Sequence, residues 1–191
     1  VDNVVTKNTY DVYGQQLSTT DALGNTTSME YDFDGNVVAE VDALGNKITK
    51  VYDGNGNVTK ETDKNGNSTI YKYDINNFLI SEIDPLGYTT TYTYNDNGQP
   101  ITSTDAYGVV SEFVYDDFNN VIETKVNGTL IESKTYNSFG EEVEKKDLSV
   151  HETYTYDELG RQLTTTNAYT GLVNTNEYDQ YGNITKTFDS K

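Results

Sequence analysis

The sequence predicts an all-β chain: a repetitive antiparallel array of β-hairpins coiling into a spiral or solenoid strip of about nine repeats. Three observations carry this. Tyrosine recurs on a fixed period at Tyr10, Tyr31, Tyr52, Tyr73, Tyr94, Tyr115, Tyr136, Tyr156 and Tyr178; six successive spacings are 21 residues and the last two are 20 and 22. A turn signal, Asp-x-x-Gly-Asn, occurs twice per period, as at Asp32 to Asn36 and Asp42 to Asn46. Between the turns lie short runs rich in Val, Ile, Thr and Tyr. A period in this range marks a repeat architecture.

Each element follows from local chemistry. Asp favours the first position of a type I turn, where its carboxylate accepts a nearby backbone N–H. Glycine then takes the left-handed conformation that a Cβ would penalise, and a type I turn followed by such a glycine is a common hairpin connection. The unit therefore reads strand, turn, strand, turn. Gly14, Gly24, Gly35, Gly45, Gly56, Gly66, Gly87, Gly98 and Gly108 are turn glycines of the regular units; across the chain, fourteen of fifteen glycines fall in the turn frame and Gly54 does not. Asn77 and Asn119 stand where glycine is expected, and Asn tolerates the left-handed region. Pro85 fits the second turn position. Pro100 falls early in a strand and marks an unpaired site or a local bulge. Gly128 arrives one residue early, the turn near Asp147 has no glycine, and Gly171 arrives one residue late.

Turn geometry sets the register. Asp32 opposite Asn36 places Tyr31 opposite Val37; likewise Tyr52 faces Val58, Tyr73 faces Leu79, Tyr115 faces Val121 and Tyr178 faces Ile184. Side chains alternate with period two, so a repeat of 21 would flip successive tyrosines to opposite faces. One β-bulge per unit, expected on the strand ending in Tyr, restores the phase. The 20-residue unit from Tyr136 to Tyr156 is expected to lack it. Apolar residues reach both faces: Val38, Ile80, Ile101, Ile122, Val143 and Leu163 sit one position beyond the paired residue. Partial cover on both sides is therefore expected.

Composition limits the function. Only 34% of the 191 residues are hydrophobic, so a thick core is not expected, and 17 tyrosines supply apolar area with a polar tip. A net charge of −18 argues against nucleic acid and anionic membrane as partners. There is no cysteine and hence no disulfide framework. No apolar run is long enough to span a bilayer as a helix, and no leader pattern opens the chain. Pattern at both ends reads as a piece of a longer array, residues 1–191 forming one array with 1–9 as a partial repeat.

Chemistry-bearing sets are sparse. His151 is the single histidine and reads as an exposed strand residue, so neither a Ser-His-Asp nor a Cys-His site is supplied. Carboxylates recur in every unit, which suits structure better than one active site. Asp32 to Asn36 and Asp63 to Asn67 are the best calcium candidates, but Gly comes fourth and no Glu closes the loop, so turn chemistry accounts for them. No metal and no cofactor are expected. Tyr71, Tyr92, Phe113 and Tyr154, each two residues before an anchor tyrosine, form a stripe that either stacks on sugars or packs between layers. Trp-rich hairpin solenoids are a poor match, since Trp is absent. A four-stranded propeller blade would require a doubled period.

The recurrent Tyr-Asp-x-x-Gly-Asn is intact at Tyr178-Asp179-Gln180-Tyr181-Gly182-Asn183 and varied at Tyr156-Asp157-Glu158-Leu159-Gly160-Arg161. It resembles the YD-repeat, or RHS-repeat, family over residues 10–189. The resemblance implies a non-enzymatic β-hairpin shell in a large secreted or wall-associated bacterial protein, enclosing or displaying a toxin or effector domain. Adjoining repeats and a C-terminal effector would be its partners. The family's self-cleaving shell-closing segment and toxin domain do not occur within these residues. The acidic, Asn- and Thr-rich repeats look like those of a Gram-positive surface protein. An adhesion module binding carbohydrate or cell surfaces is the alternative, as in related teneurin-type repeats. Bare strand edges on such a strip would favour self-association.

Overall fold

A computed structural model describes residues 6–190, which form eighteen strands and no helix. Contacts divide the chain into two units, Val1–Tyr92 and Thr93–Lys191. Unit 1 holds β1 (Lys7–Tyr10), β2 (Gln16–Thr20), β3 (Thr26–Tyr31), β4 (Val37–Val41), β5 (Lys47–Tyr52), β6 (Val58–Thr62), β7 (Ser68–Tyr73), β8 (Leu79–Ile83) and most of β9 (Thr89–Tyr94). Consecutive strands pair antiparallel throughout this meander.

Unit 2 repeats the plan. Its strands are β10 (Pro100–Thr104), β11 (Val110–Tyr115), β12 (Val121–Val126), β13 (Thr129–Tyr136), β14 (Glu142–Asp147), β15 (His151–Tyr156), β16 (Gln162–Asn167), β17 (Val173–Tyr178) and β18 (Ile184–Ser190). Each pairs antiparallel with the next.

The register agrees with the turn spacing. Tyr31 faces Val37, Tyr52 faces Val58, Tyr73 faces Leu79, Tyr115 faces Val121 and Tyr178 faces Ile184. Each of these pairs abuts a register shift, because Glu30 faces Ala39 while Tyr31 faces Val37. The extra residue is therefore Val38, on the strand after the turn. This corrects the expected placement on the strand ending in Tyr. Leu17, Thr59, Ile80, Ile122, Val143, Leu163 and Thr185 are the equivalent extra residues. Spacing alone counts an extra residue per unit without saying which strand holds it.

The irregular units show where length changes are absorbed. Tyr136 and Tyr156 both keep their bulges, so the 20-residue unit does not lack one. Its missing residue comes from the second turn, where Asp147 N–H bonds to the Val150 carbonyl at 2.8 Å, one residue shorter than the usual closure. The turn at Asn167 closes instead on Leu172, at 2.9 Å, and adds one. Between Tyr115 and Tyr136 the chain makes a two-residue turn at Asn127 (φ 49°) and Gly128 (φ 74°). A second bulge at Thr124/Lys125 returns the lost residue and keeps the period at 21.

Neither unit has a conventional core. Among the described residues only Ala39, at 3% exposure, is a buried hydrophobic residue. Most strand side chains are instead half-buried, in β12 and β16 at every position and so on both faces. Many turn tips are fully open, as at Phe33, Leu44 and Leu86. Pro100 opens β10, a strand position that tolerates its missing donor.

Candidate functional site

The recurring structure is a turn lock. In the turn after Tyr31, Asp32 N–H donates to the Asn36 carbonyl at 3.0 Å, and Gly35 N–H donates to the Asp32 carbonyl at 3.3 Å. One carboxylate oxygen of Asp32, Oδ1, accepts the N–H groups of Asp34 and Asn36; the other, Oδ2, accepts the Asn36 side-chain amide. The same set recurs at Asp21, Asp42, Asp53, Asp63 and Asp179. At Asn95 and Asn137, which stand in the place of the Asp, the fifth residue switches from donor to acceptor. Asn95 donates to Gln99 at 2.7 Å and Asn137 to Glu141 at 2.6 Å. At Asp157 the fifth residue is Arg161, which donates Nε–H to the carboxylate at 2.7 Å.

Every turn glycine from Gly14 to Gly182 has φ between 70° and 89°, with Asn77 at 67° and Asn119 at 71° in the same role; Gly54 has no positive φ. The fifth residue also clasps the next turn on the same rim. Asn57 donates to the Asn77 side-chain oxygen at 2.8 Å in unit 1, and Arg161 donates to the Asp179 carbonyl at 3.1 Å in unit 2.

A second contact joins neighbouring repeats. The Tyr52 hydroxyl donates to the carbonyl of Val37, the residue opposite Tyr31, at 2.8 Å. Tyr31 reaches Gln16 and Tyr73 reaches Val58 in unit 1. Tyr115 reaches Pro100, Tyr136 reaches Val121, Tyr156 reaches Glu142 and Tyr178 reaches Gln162 in unit 2. For Gln16, Val37, Val58, Val121, Glu142 and Gln162 the accepting carbonyl belongs to the residue just before the bulge, where the strand ladder is disrupted. Sequence reasoning found the tyrosines but not this ladder. The odd period gave no direct signal for it, because spacing does not say which strand holds the extra residue.

The carboxylates of Asp21, Asp32, Asp42, Asp53, Asp63, Asp116 and Asp179 are held below the usual aspartate value, chiefly by the side-chain amide of the Asn four residues on. A lowered folded pKa contributes stability that is complete above the unfolded value, about 3.9, and is lost as pH falls through the folded value. Asp32→Asn should therefore lower the melting temperature at neutral pH, and its gap to the wild type should close in acid below about pH 4. Thermal melts of both proteins across pH 2–7 check this; a gap independent of pH would remove the ionised lock.

The remaining candidates separate. Tyr71 on β7 and Tyr92 on β9 share the anchor-tyrosine face of unit 1, with Glu82 of β8 between them. In unit 2, Phe113 faces Thr124, while Tyr154 faces Thr165 and donates its hydroxyl to Glu152 at 3.0 Å. His151 is half-buried rather than exposed: its Nε2 lies 2.7 Å from Glu144 Oε1 and its ring meets Tyr169 edge-on at 5.6 Å. Among the described residues no group of three or more His, Cys, Asp or Glu is placed to hold a metal ion. With the turn carboxylates engaged by amides, millimolar calcium should leave the melting temperature unchanged. A rise of several degrees that a chelator reverses would contradict this.

These features define a structural β-hairpin repeat. Residues 10–47, 52–83, 76–110 and 94–130 match the RHS Repeat family, and the chain belongs to it. A search of curated proteins returns no match. Among solved structures, the crystal structure of TcdB2-TccC3-TEV is similar at a TM-score of 0.79 and 19% identity, over 97% of this chain and 11% of that one. TcdB2-TccC3-Cdc42 follows at 0.59 and 16%, over 98% of this chain and 14% of that one. TcdB2-TccC3 without its hypervariable C-terminal region gives 0.58 and 17%, over 99% and 14%. The chain thus spans a small part of the proteins it resembles, and the likeness is one of fold.

Proposed function

We propose that this chain is a non-enzymatic wall segment of a large secreted or cell-surface bacterial protein, enclosing or displaying an effector or toxin domain. Residues 1–191 would be one stretch of that wall, with adjoining repeats and a C-terminal effector as partners and a Gram-positive surface as its setting. One observation carries the reading: the residues that recur, the turn aspartates and anchor tyrosines, are engaged in the array's own contacts. Asp32 spends both carboxylate oxygens on its turn, and Tyr52 spends its hydroxyl on the neighbouring repeat. Groups spent on such contacts serve the wall itself. The fold likeness to TcdB2-TccC3 structures supports the same reading.

Limited proteolysis of the parent protein tests it. The effector region should resist cleavage while the array is folded and become sensitive at the array's own unfolding midpoint. Rapid cleavage of the effector in the native protein would exclude enclosure. Turnover of a substrate by the isolated array would exclude a purely structural role.

A further inference from the structure

One row on the anchor-tyrosine face of unit 1 changes along the chain in an informative way. Position by position, Lys50 of β5, Tyr71 of β7 and Tyr92 of β9 are equivalent, each two residues before an anchor tyrosine. Glu40, Glu61 and Glu82 are likewise equivalent on β4, β6 and β8. Lys50 supplies a cation to this row: its Nζ lies 3.2 Å from Glu40 Oε1, and it stands directly opposite Glu61. One repeat later tyrosine takes the lysine's place. Glu82 then faces Tyr71, and Tyr92 lies diagonally across from it. Among the described residues no ion pair reaches Glu82; Lys72, the adjacent cation in β7, faces Ser81 on the opposite side of the sheet. In unit 2 the corresponding row carries its own cations, Lys134 and Lys145, which pair with Glu142 at 3.1 Å and Glu132 at 3.2 Å.

We propose that Glu82, bracketed by Tyr71 and Tyr92, docks a lysine or arginine side chain from a basic polypeptide segment. A carboxylate between two phenol rings suits an organic cation, which the ring faces attract as the carboxylate neutralises it. The backbone positions of Tyr71 and Tyr92 lie about 10 to 12 Å apart by strand spacing, with Glu82 on the strand between, a span that suits one cationic head. The sheet itself demonstrates the chemistry two repeats upstream, where Lys50, in the position that Tyr92 later takes, bonds Glu40 across the same diagonal that joins Tyr92 to Glu82. A net charge of −18 steers basic segments toward the chain.

The test is NMR titration of the whole chain with a short lysine peptide, its lysine-acetylated form, and a glucosamine oligomer. The lysine peptide should shift the resonances of Tyr71, Glu82 and Tyr92 first, and acetylation should abolish this. Glu82→Gln, its fold checked by circular dichroism, should weaken binding about fivefold. Glu158→Gln, at an exposed turn tip, should leave it unchanged. Equal losses for both variants, or shifts spread over the turn aspartates, would reduce the effect to bulk charge and overturn the site. Tighter binding of the glucosamine oligomer at the same residues would overturn the polypeptide assignment.

Discussion

Tyr52→Ala should destabilise the array by about 2–3 kcal/mol, and Tyr52→Phe by about 1 kcal/mol. The ring is half-buried against Val58 across the hairpin, so truncation removes apolar cover worth part of a full core aromatic. The hydroxyl adds a separate contribution through its 2.8 Å bond to the Val37 carbonyl. Removing only the hydroxyl leaves that carbonyl at a bulge without its donor. Chemical denaturation of both variants separates the two effects. An unchanged midpoint for Tyr52→Phe would mean that the ladder is decorative. The same ladder gives an alkaline limit. Burial raises the pKa of Tyr73, Tyr115, Tyr136 and Tyr156. Stability from a raised folded pKa is complete below the unfolded value, about 10, and is lost as pH climbs through the folded values above it. The protein should unfold at strongly alkaline pH as the hydroxyl donors ionise.

Gly45→Val should cost about 1–3 kcal/mol, because the backbone there sits at φ 84° and a β-branched residue resists that region. The loss is purely conformational: a Cβ at Gly45 meets nothing within 4 Å. Gly54→Val is the matched control, since that glycine also has open space but no positive φ. Its midpoint should move by less than about 0.5 kcal/mol. Equal losses at the two positions would remove the left-handed turn assignment.

The sequence carried most of this fold because turn chemistry is local. Asp, Gly and Asn at set offsets state the turn, and the turn states the register, so Tyr31 opposite Val37 could be read directly. What spacing could not state was the strand on which an extra residue lies. Val38 and a residue near Tyr31 give the same count, and only the pairing of Glu30 with Ala39 decides. The unit from Tyr136 misled for a related reason: a shortened turn at Asp147 and a missing bulge both remove one residue. The hydroxyl ladder was hidden because its donor and acceptor lie 15 residues apart, in different hairpins, as in Tyr52 and Val37. Even the two shifted cases, Tyr156 to Glu142 and Tyr178 to Gln162, keep the same structural partner at separations of 14 and 16. The ladder follows position in the repeat, not sequence distance.

The central claim is that stability resides in repeated neighbour contacts, with no single indispensable site. Excising Asp32 through Tyr52 tests it most directly, because the cut joins Tyr31 to Asp53 and removes one whole repeat in frame. In an array of this kind each repeat contacts only its neighbours. The shortened chain should keep its β-sheet circular dichroism, unfold cooperatively near the parent midpoint, and show a denaturant slope reduced in proportion to its length. Loss of cooperative folding after this excision would contradict the account.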